Sequence, residues 1–173
     1  AVEFTMIYHS PKVKKQIQEL GIPVIVERSS YETHPLGRME WIKLYGLLLG
    51  DLDPAKERFD EKIKAFEELP DIDIPENERK TAAFFYITSN GYASIRKPGD
   101  HVSKMIELAG GRYIFTADDL NVDDNALSTM NIQIETFCDT ARDADILIYN
   151  STIDGELETI DQLVEKCGVL ADF

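Results

Sequence analysis

Basic residues are scarce in this chain: 18 Lys and Arg stand against 32 Asp and Glu, giving a formal net charge of −14. Nothing in the sequence forms a basic stripe, which argues against nucleic acid and anionic membrane surfaces as partners. Cysteine is nearly absent. Cys138 and Cys167 fall on separate expected helices with no CxxC and no adjacent histidine, so they read as two packed thiols rather than a disulfide or metal pair. No apolar run approaches the roughly 20 residues of a membrane span. The opening AVEFTMIYHS lacks the basic, apolar and small-residue pattern of a secretion signal. Only three histidines occur, His9, His34 and His101, on separate elements without ligand spacing. Catalytic signatures are missing too: there is no GxSxG, HExxH, P-loop or GxGxxG, so no enzymatic activity and no resident cofactor is expected.

What is present is organised around Tyr31 to Leu69. From Pro35 to Leu49 the residues Leu36, Met39, Trp41, Ile42, Leu44, Tyr45 and Leu47 to Leu49 make nearly every helical face apolar. Such a helix must be covered. After Gly50, Asp53 and Pro54 predict a helix restart, with an acceptor at the cap and proline at the first helical position. Ala55, Phe59, Ile63 and Phe66 then recur at helical steps among charged residues, which gives one narrow buried stripe.

Before this stretch, Phe4 to Tyr8 reads as a strand, Ser10 and Pro11 as the start of a helix with Val13, Ile17 and Leu20 inward, and Ile22 to Val26 as a second strand. This is a βαβ unit, which builds parallel sheets. A parallel pair needs neighbours and cover, so the natural domain is expected to continue upstream of residue 1.

After it, Pro70 to Arg79 reads as a linker, and Thr81 to Ile87 as an apolar strand. Asn90 and Gly91 supply hairpin-turn chemistry, with Ala93 to Ile95 returning. Asp100 caps a helix with Val102, Met105, Ile106 and Ala109 inward, ended by Gly110 and Gly111. A short strand at Tyr113 to Phe115, a polar loop from Thr116 to Asn131, a helix near Gln133 to Arg142, a strand at Ile146 to Tyr149, a turn at Asp154 and Gly155 and a helix from Glu156 to Cys167 follow. The alternation predicts a second α/β unit with a mostly parallel sheet. Ligands of such sheets bind beyond the carboxyl ends of the strands. The acidic loop fails as a calcium site: Asp119, Asn121 and Asp123 fit, but Asp124 stands where glycine is required and Met130 where glutamate is.

The runs GIPV at Gly21 to Val24, THPLGRMEWIK at Thr33 to Lys43 and LLLGDLDPAKERFDE resemble the first lobe and interlobe helix of substrate-binding proteins of ABC importers. The group is the one that carries ferric siderophores, haem or cobalamin. MIELAGGRYIF at Met105 to Phe115, IETFCDTARDADILIYNSTI at Ile134 to Ile153 and the closing VLADF resemble its second lobe. The resemblance implies an α/β fold of parallel-sheet, Rossmann-like lobes joined by a helix. Residues 1–52 would be a remnant of the first lobe, 53–69 the interlobe helix and 70–173 most of the second lobe. Members are longer, so the chain is expected to be a fragment whose signal and anchor lie elsewhere. The implied protein is extracytoplasmic, periplasmic or a membrane-anchored lipoprotein. Its partners would be an ABC permease and a small metal complex, namely a ferric siderophore, haem or a corrinoid.

Loops after the strands then offer Tyr8, His9, Tyr31, His34 and Arg38 from the first lobe, and Asn90, Tyr92, Arg96, Asn150 and Ser151 from the second. The ligand set expected from these is Tyr31, Arg38, Asn90, Tyr92, Arg96 and Asn150. Tyr phenols stack on planar groups or ligate ferric haem iron, and Arg pairs with carboxylates at two points. Structural uses compete: Tyr31 and Tyr92 as loop anchors, Arg38 as an ion pair with Glu40. Glu135, in the first turn of its helix, suits the helix dipole, and the resemblance implies that it docks onto a permease arginine. Two readings from other classes stay open. A doubly wound α/β enzyme or phosphoacceptor domain calls for acidic or catalytic residues at the strand ends, where this chain has Tyr8, Ser89 or Asn90, and Asn150; a sensor or interaction domain would reuse the binding-protein fold. The apolar 35–49 helix, short of cover, favours dimerisation or exchange of segments between chains.

Overall fold

A computed structural model describes residues 4–70, 72–124, 127–153 and 157–173. In chain order the strands are β1 (Thr5–Ile7), β2 (Val24–Val26), β3 (Thr81–Ile87), β4 (Ala93–Arg96), β5 (Arg112–Tyr113), β6 (Thr129–Ile132) and β7 (Ile146–Tyr149). The helices are α1 (Pro11–Glu19), α2 (Pro35–Leu49), α3 (Leu52–Glu67), α4 (His101–Leu108), α5 (Ala117–Leu120), α6 (Ile134–Ala141) and α7 (Ile160–Lys166). None of the described helices is long and apolar enough to cross a membrane.

Two sheets result. β1 and β2 pair in parallel, with Met6 opposite Ile25, and α1 connects them as the βαβ pattern predicts. The larger sheet is built on β3, which pairs in parallel with β5 and β7 and antiparallel with β4. Because Phe85 pairs with both Ile95 and Tyr149, β4 and β7 lie on opposite edges of β3. The α/β class holds, and the parallel strands β5, β3 and β7 carry an antiparallel extension, β4 and β6. The hairpin joining β3 to β4 closes as expected: Gly91 N–H donates to Thr88 O at 3.0 Å, and Thr88 N–H donates to Tyr92 O at 2.9 Å. Gly91 takes the left-handed conformation, φ 79°, that this three-residue loop requires.

The core sits on the larger sheet. Phe85, Phe115 and Phe137 are fully buried, and the Phe85 and Phe137 ring centroids are 4.3 Å apart. Ile106 of α4 and Cys138 and Ala141 of α6 join them, and Cys167 packs against the cluster as a free thiol. The start of β3 is pinned by Asp145: Lys80 Nζ donates to Oδ1 at 2.7 Å, while Thr81 N–H and Oγ1 donate to Oδ2 at 2.8 and 3.0 Å. The hydrogen bond from Lys80, followed by those from Thr81, holds the Asp145 carboxyl at a pKa of about 2.

The structure departs from the sequence pattern at several points: Leu20, Met105 and Ala109, expected inward, are exposed, and the strand expected at Tyr113 to Phe115 is Arg112–Tyr113. The helix expected to restart at Asp53 and Pro54 begins at Leu52 with Asp51 at the cap; its first full-turn bond runs from Ala55 N–H to Asp51 O. Pro54 is tolerated there because the first-turn N–H groups have no helical partner anyway. Ser10 occupies its cap position without a side-chain bond. The loop from Thr116 to Asn131 holds α5, closed by a Thr116–Asp119 capping box, and β6 on the edge of β4. Finally, α7 starts at Ile160, capped by Thr159 and Gln162, rather than at Glu156. Glu156 and the turn expected at Asp154 and Gly155 lie outside the described residues.

α2 and α3 pack closely at Gly46, where a Cβ would run into the Ala55 side chain and stand 2.9 Å from Asp51 O. As expected for α2, Met39, Ile42, Leu47 and Leu49 remain exposed.

Candidate functional site

The loops at the strand ends bring the expected residues together in three groups. At the ends of β1 and β2, the His9 and Tyr31 rings meet edge to face at 6.4 Å, and Arg28 places its guanidinium 4.7 Å from the Tyr31 ring centre. Cation–π contact fixes the ring, and Tyr31 is 43% exposed. Tyr8 is largely exposed.

On the larger sheet, Asn90 and Tyr92 sit in the β3–β4 turn and Asn150 follows β7. β3 and β7 run parallel, and Asn150 N–H donates to Phe85 O at 2.8 Å, so these residues share the carboxyl-end side of the sheet. Thr88 Oγ1 accepts from Tyr92 N–H at 3.0 Å, which fixes the turn and leaves the Tyr92 side chain 37% exposed. Asn150 Oδ1 accepts from Thr152 N–H and Oγ1, at 3.3 and 2.6 Å, which shapes its own loop.

Arg96 belongs elsewhere. It ends β4, the strand that runs back from the turn, and so lies at the opposite end of that strand from Asn90 and Tyr92. Tyr113 clamps its backbone: the phenol donates to Arg96 O at 2.8 Å and accepts from Arg96 N–H at 3.0 Å. Its side chain lies over Phe84 and 3.7 Å from Asp100 Oδ1. Arg38 reaches the same place from α2, with Nη1 3.0 Å from His101 Nδ1. The Glu40 that might have paired with Arg38 is engaged by Lys43 at 3.1 Å instead. Arg38 also acts on Glu27, whose carboxyl resists ionisation through burial yet is held below the usual carboxylate range by hydrogen bonds from Ser29 and Tyr45 and by the arginine charge.

The hub of this third group is Asp100, 2% exposed at the cap of α4. Its Oδ1 accepts from Val102 N–H and its Oδ2 from Ser128 N–H, both at 3.1 Å. The cap is legible in the sequence; the approach of Arg96 and His101 to it, with Arg38 joined through His101, is not.

Further along α4, Met105 and Leu108 share the His101 face. With Pro35, Phe66, Leu69 and Ile72 they line an apolar groove of about 840 Å³. The His34 ring abuts Phe66 edge to face at 5.8 Å. The α2–α4 junction therefore has a charged half and an apolar half. Glu135 is apart from all of these, exposed in the first turn of α6. Asp119, weighed above as a cation ligand, is occupied in its capping box.

No protein-family model matches the chain. An uncharacterized lipoprotein of Methanocaldococcus jannaschii is 28% identical over 146 residues, covering 84% of this chain and 33% of the relative. Among solved structures, the periplasmic haem-binding protein BhuT in complex with two haems superposes with a TM-score of 0.65 at 14% identity, over 96% of this chain and 60% of that one. A possible iron-binding, periplasmic solute-binding protein from Staphylococcus epidermidis gives a TM-score of 0.59 at 17% identity, with the same coverages. At these identities the likeness is one of fold: the chain has the fold of periplasmic solute-binding proteins. It spans about 60% of the length of these solved chains and a third of the curated relative.

Proposed function

We propose that the chain is the lobe-to-lobe portion of an extracytoplasmic substrate-binding protein of an ABC importer, which captures haem or a related metal complex, a ferric siderophore or a corrinoid, and hands it to a permease. Residues 1–52 belong to the first lobe, α3 with its flanks at 53–69 is the strut, and 70–173 form the second lobe. The observation that carries this reading is a haem-binding-protein fold over 96% of the chain in which a partly exposed tyrosine, Tyr31 or Tyr92, stands in a loop after a strand of each sheet. A phenolate is a ligand for ferric haem iron, and tyrosine rings stack on flat macrocycles. Asn90 and Asn150 supply polar contacts on the second lobe. Arg38 and Arg96, held against His101 and Asp100, brace the floor between the lobes. Glu135, exposed at a helix start, is the permease-docking residue. The names of the neighbours and of the lipoprotein relative support an extracytoplasmic location.

Full-length protein titrated with hemin, a ferric siderophore and cobalamin provides the test. Hemin should develop a tyrosinate-type Soret and charge-transfer spectrum, and Tyr31→Phe should weaken binding by about tenfold or more, a loss of ~1.4 kcal/mol. Silence toward all three probes removes the reading. Glu135→Ala should reduce permease-dependent uptake while leaving ligand affinity unchanged; unchanged uptake removes the docking role.

A further inference from the structure

At the α2–α4 junction one ring nitrogen serves two partners. His101 Nδ1 lies 3.0 Å from Arg38 Nη1 and 3.0 Å from Asp100 Oδ1. A guanidinium only donates and a carboxylate only accepts. With a lone pair on Nδ1 the ring accepts from Arg38. With a proton there it donates to Asp100 and turns an N–H toward Arg38, and once Nε2 is protonated as well the ring confronts Arg38 as a like charge. The two bonds exclude each other.

We propose that His101 is a proton-operated latch, which ties α2 to α4 while Nδ1 is unprotonated and releases Arg38 when the ring becomes imidazolium. The geometry makes one side of the latch fixed and the other free to leave. Asp100 is anchored whatever the ring does, by Val102 N–H and Ser128 N–H, with Arg96 beside it. Arg38 has an alternative attraction in Glu27, at the end of β2. The charged groups around the ring are Asp100 at its own helix cap, Arg38 from α2 and Arg96 from β4. Tyr113 of β5, its phenol pushed up by burial, adds no charge.

Burial is the largest influence on His101 and disfavours the imidazolium; Asp100 opposes it, and Arg38 and Arg96 reinforce it, so the ring titrates below its ordinary 6.5. The ring is therefore neutral at neutral pH, and in its Nε2–H tautomer Nδ1 is the acceptor that closes the latch. The sign follows from proton counting: just below 6.5 the unfolded chain binds more protons than the folded one, so stability drops as pH is lowered there and levels off beneath the folded value. α3 joins the two halves covalently, and the latch is a second, breakable tie. Its release lets α2 move away from α4 in acid, whatever ligand the protein carries.

The test needs no ligand. In full-length protein, the ring resonances of His101 are followed by NMR against pH, and amide exchange of the first turns of α2 and α4 is measured over the same range. His101 should titrate below 6.5. Exchange in these turns, corrected for its intrinsic pH dependence, should rise roughly tenfold through that titration, the weight of a hydrogen bond to a charged group. Arg38→Gln should move the His101 titration upward, since one of the two cations that oppose the imidazolium is gone, which a purely structural role for Arg38 would not do. His101→Gln keeps an acceptor for Arg38 and should make exchange pH-independent. A His101 titration unmoved by Arg38→Gln, or an acid-dependent exchange that persists in His101→Gln, overturns the latch. If His101→Gln does not fold, the Arg38→Gln shift decides alone.

Discussion

The two sheets are made from the same kind of material and meet different fates. β1–α1–β2 and the helix α2 contain apolar residues at the density of a core, yet among the described residues from 4 to 50 only Gly46 is buried. β3 and β4, by contrast, are buried almost throughout, with α4 and α6 contributing to the core around them. Local pattern decides which elements form; burial depends on how many neighbours each sheet acquires. A two-stranded parallel sheet exposes what a five-stranded one covers.

The comparison can be broken at its strongest point first. Phe137→Ala opens a cavity among Phe85 and Phe115 and should cost about 3–5 kcal/mol by denaturant unfolding, whereas Ile25→Ala in half-exposed β2 should cost less than about 2 kcal/mol. Equal losses would mean that the small sheet is as well covered in solution as the large one. Gly46→Ala comes next. Its methyl would meet Ala55 at a closely packed place on the small-sheet side, and a destabilisation of about 1–3 kcal/mol is expected by the same measurement. Smallest is the acid response of the large sheet. The Asp145 carboxyl is depressed from its ordinary 3.8 to about 2, so its contribution is fully present above 3.8 and disappears as pH falls through about 2. Asp145→Asn should lower the melting temperature at neutral pH and flatten the decline between those values; an unaltered acid profile would show that Asp145 does not set it.

Much of this fold was legible in the residues. Pro35 to Leu49 and Ile146 to Tyr149 form their elements at the expected bounds, because strong apolar density, Pro35 and Gly50 mark them locally. β6 escaped because Thr129–Ile132 holds only two apolar residues, and its strand character comes from pairing with β4. α5 carried a readable signal, a threonine followed three residues later by an aspartate, inside a stretch polar enough to pass for loop. In the candidate site, the turn residues Asn90 and Tyr92 stand where their local chemistry puts them. Arg38 and His101 are 63 residues apart, and no local spacing announces such a meeting. Arg96 follows the turn closely in sequence, but the strand in which it stands carries it to the other end.

The clasp of Asp145 on Thr81 also bears on the order of folding. The β3–β4 hairpin closes over three residues, whereas Asp145 must find Thr81 across 64. Closing the longer loop costs more chain entropy, so the hairpin belongs to the early events and β7 docks on its free edge late. Contacts made after the transition state act on escape from the native state. Asp145→Asn should therefore quicken unfolding and leave the refolding rate nearly unchanged, which makes this exposed carboxylate a brake on how fast the larger sheet comes apart.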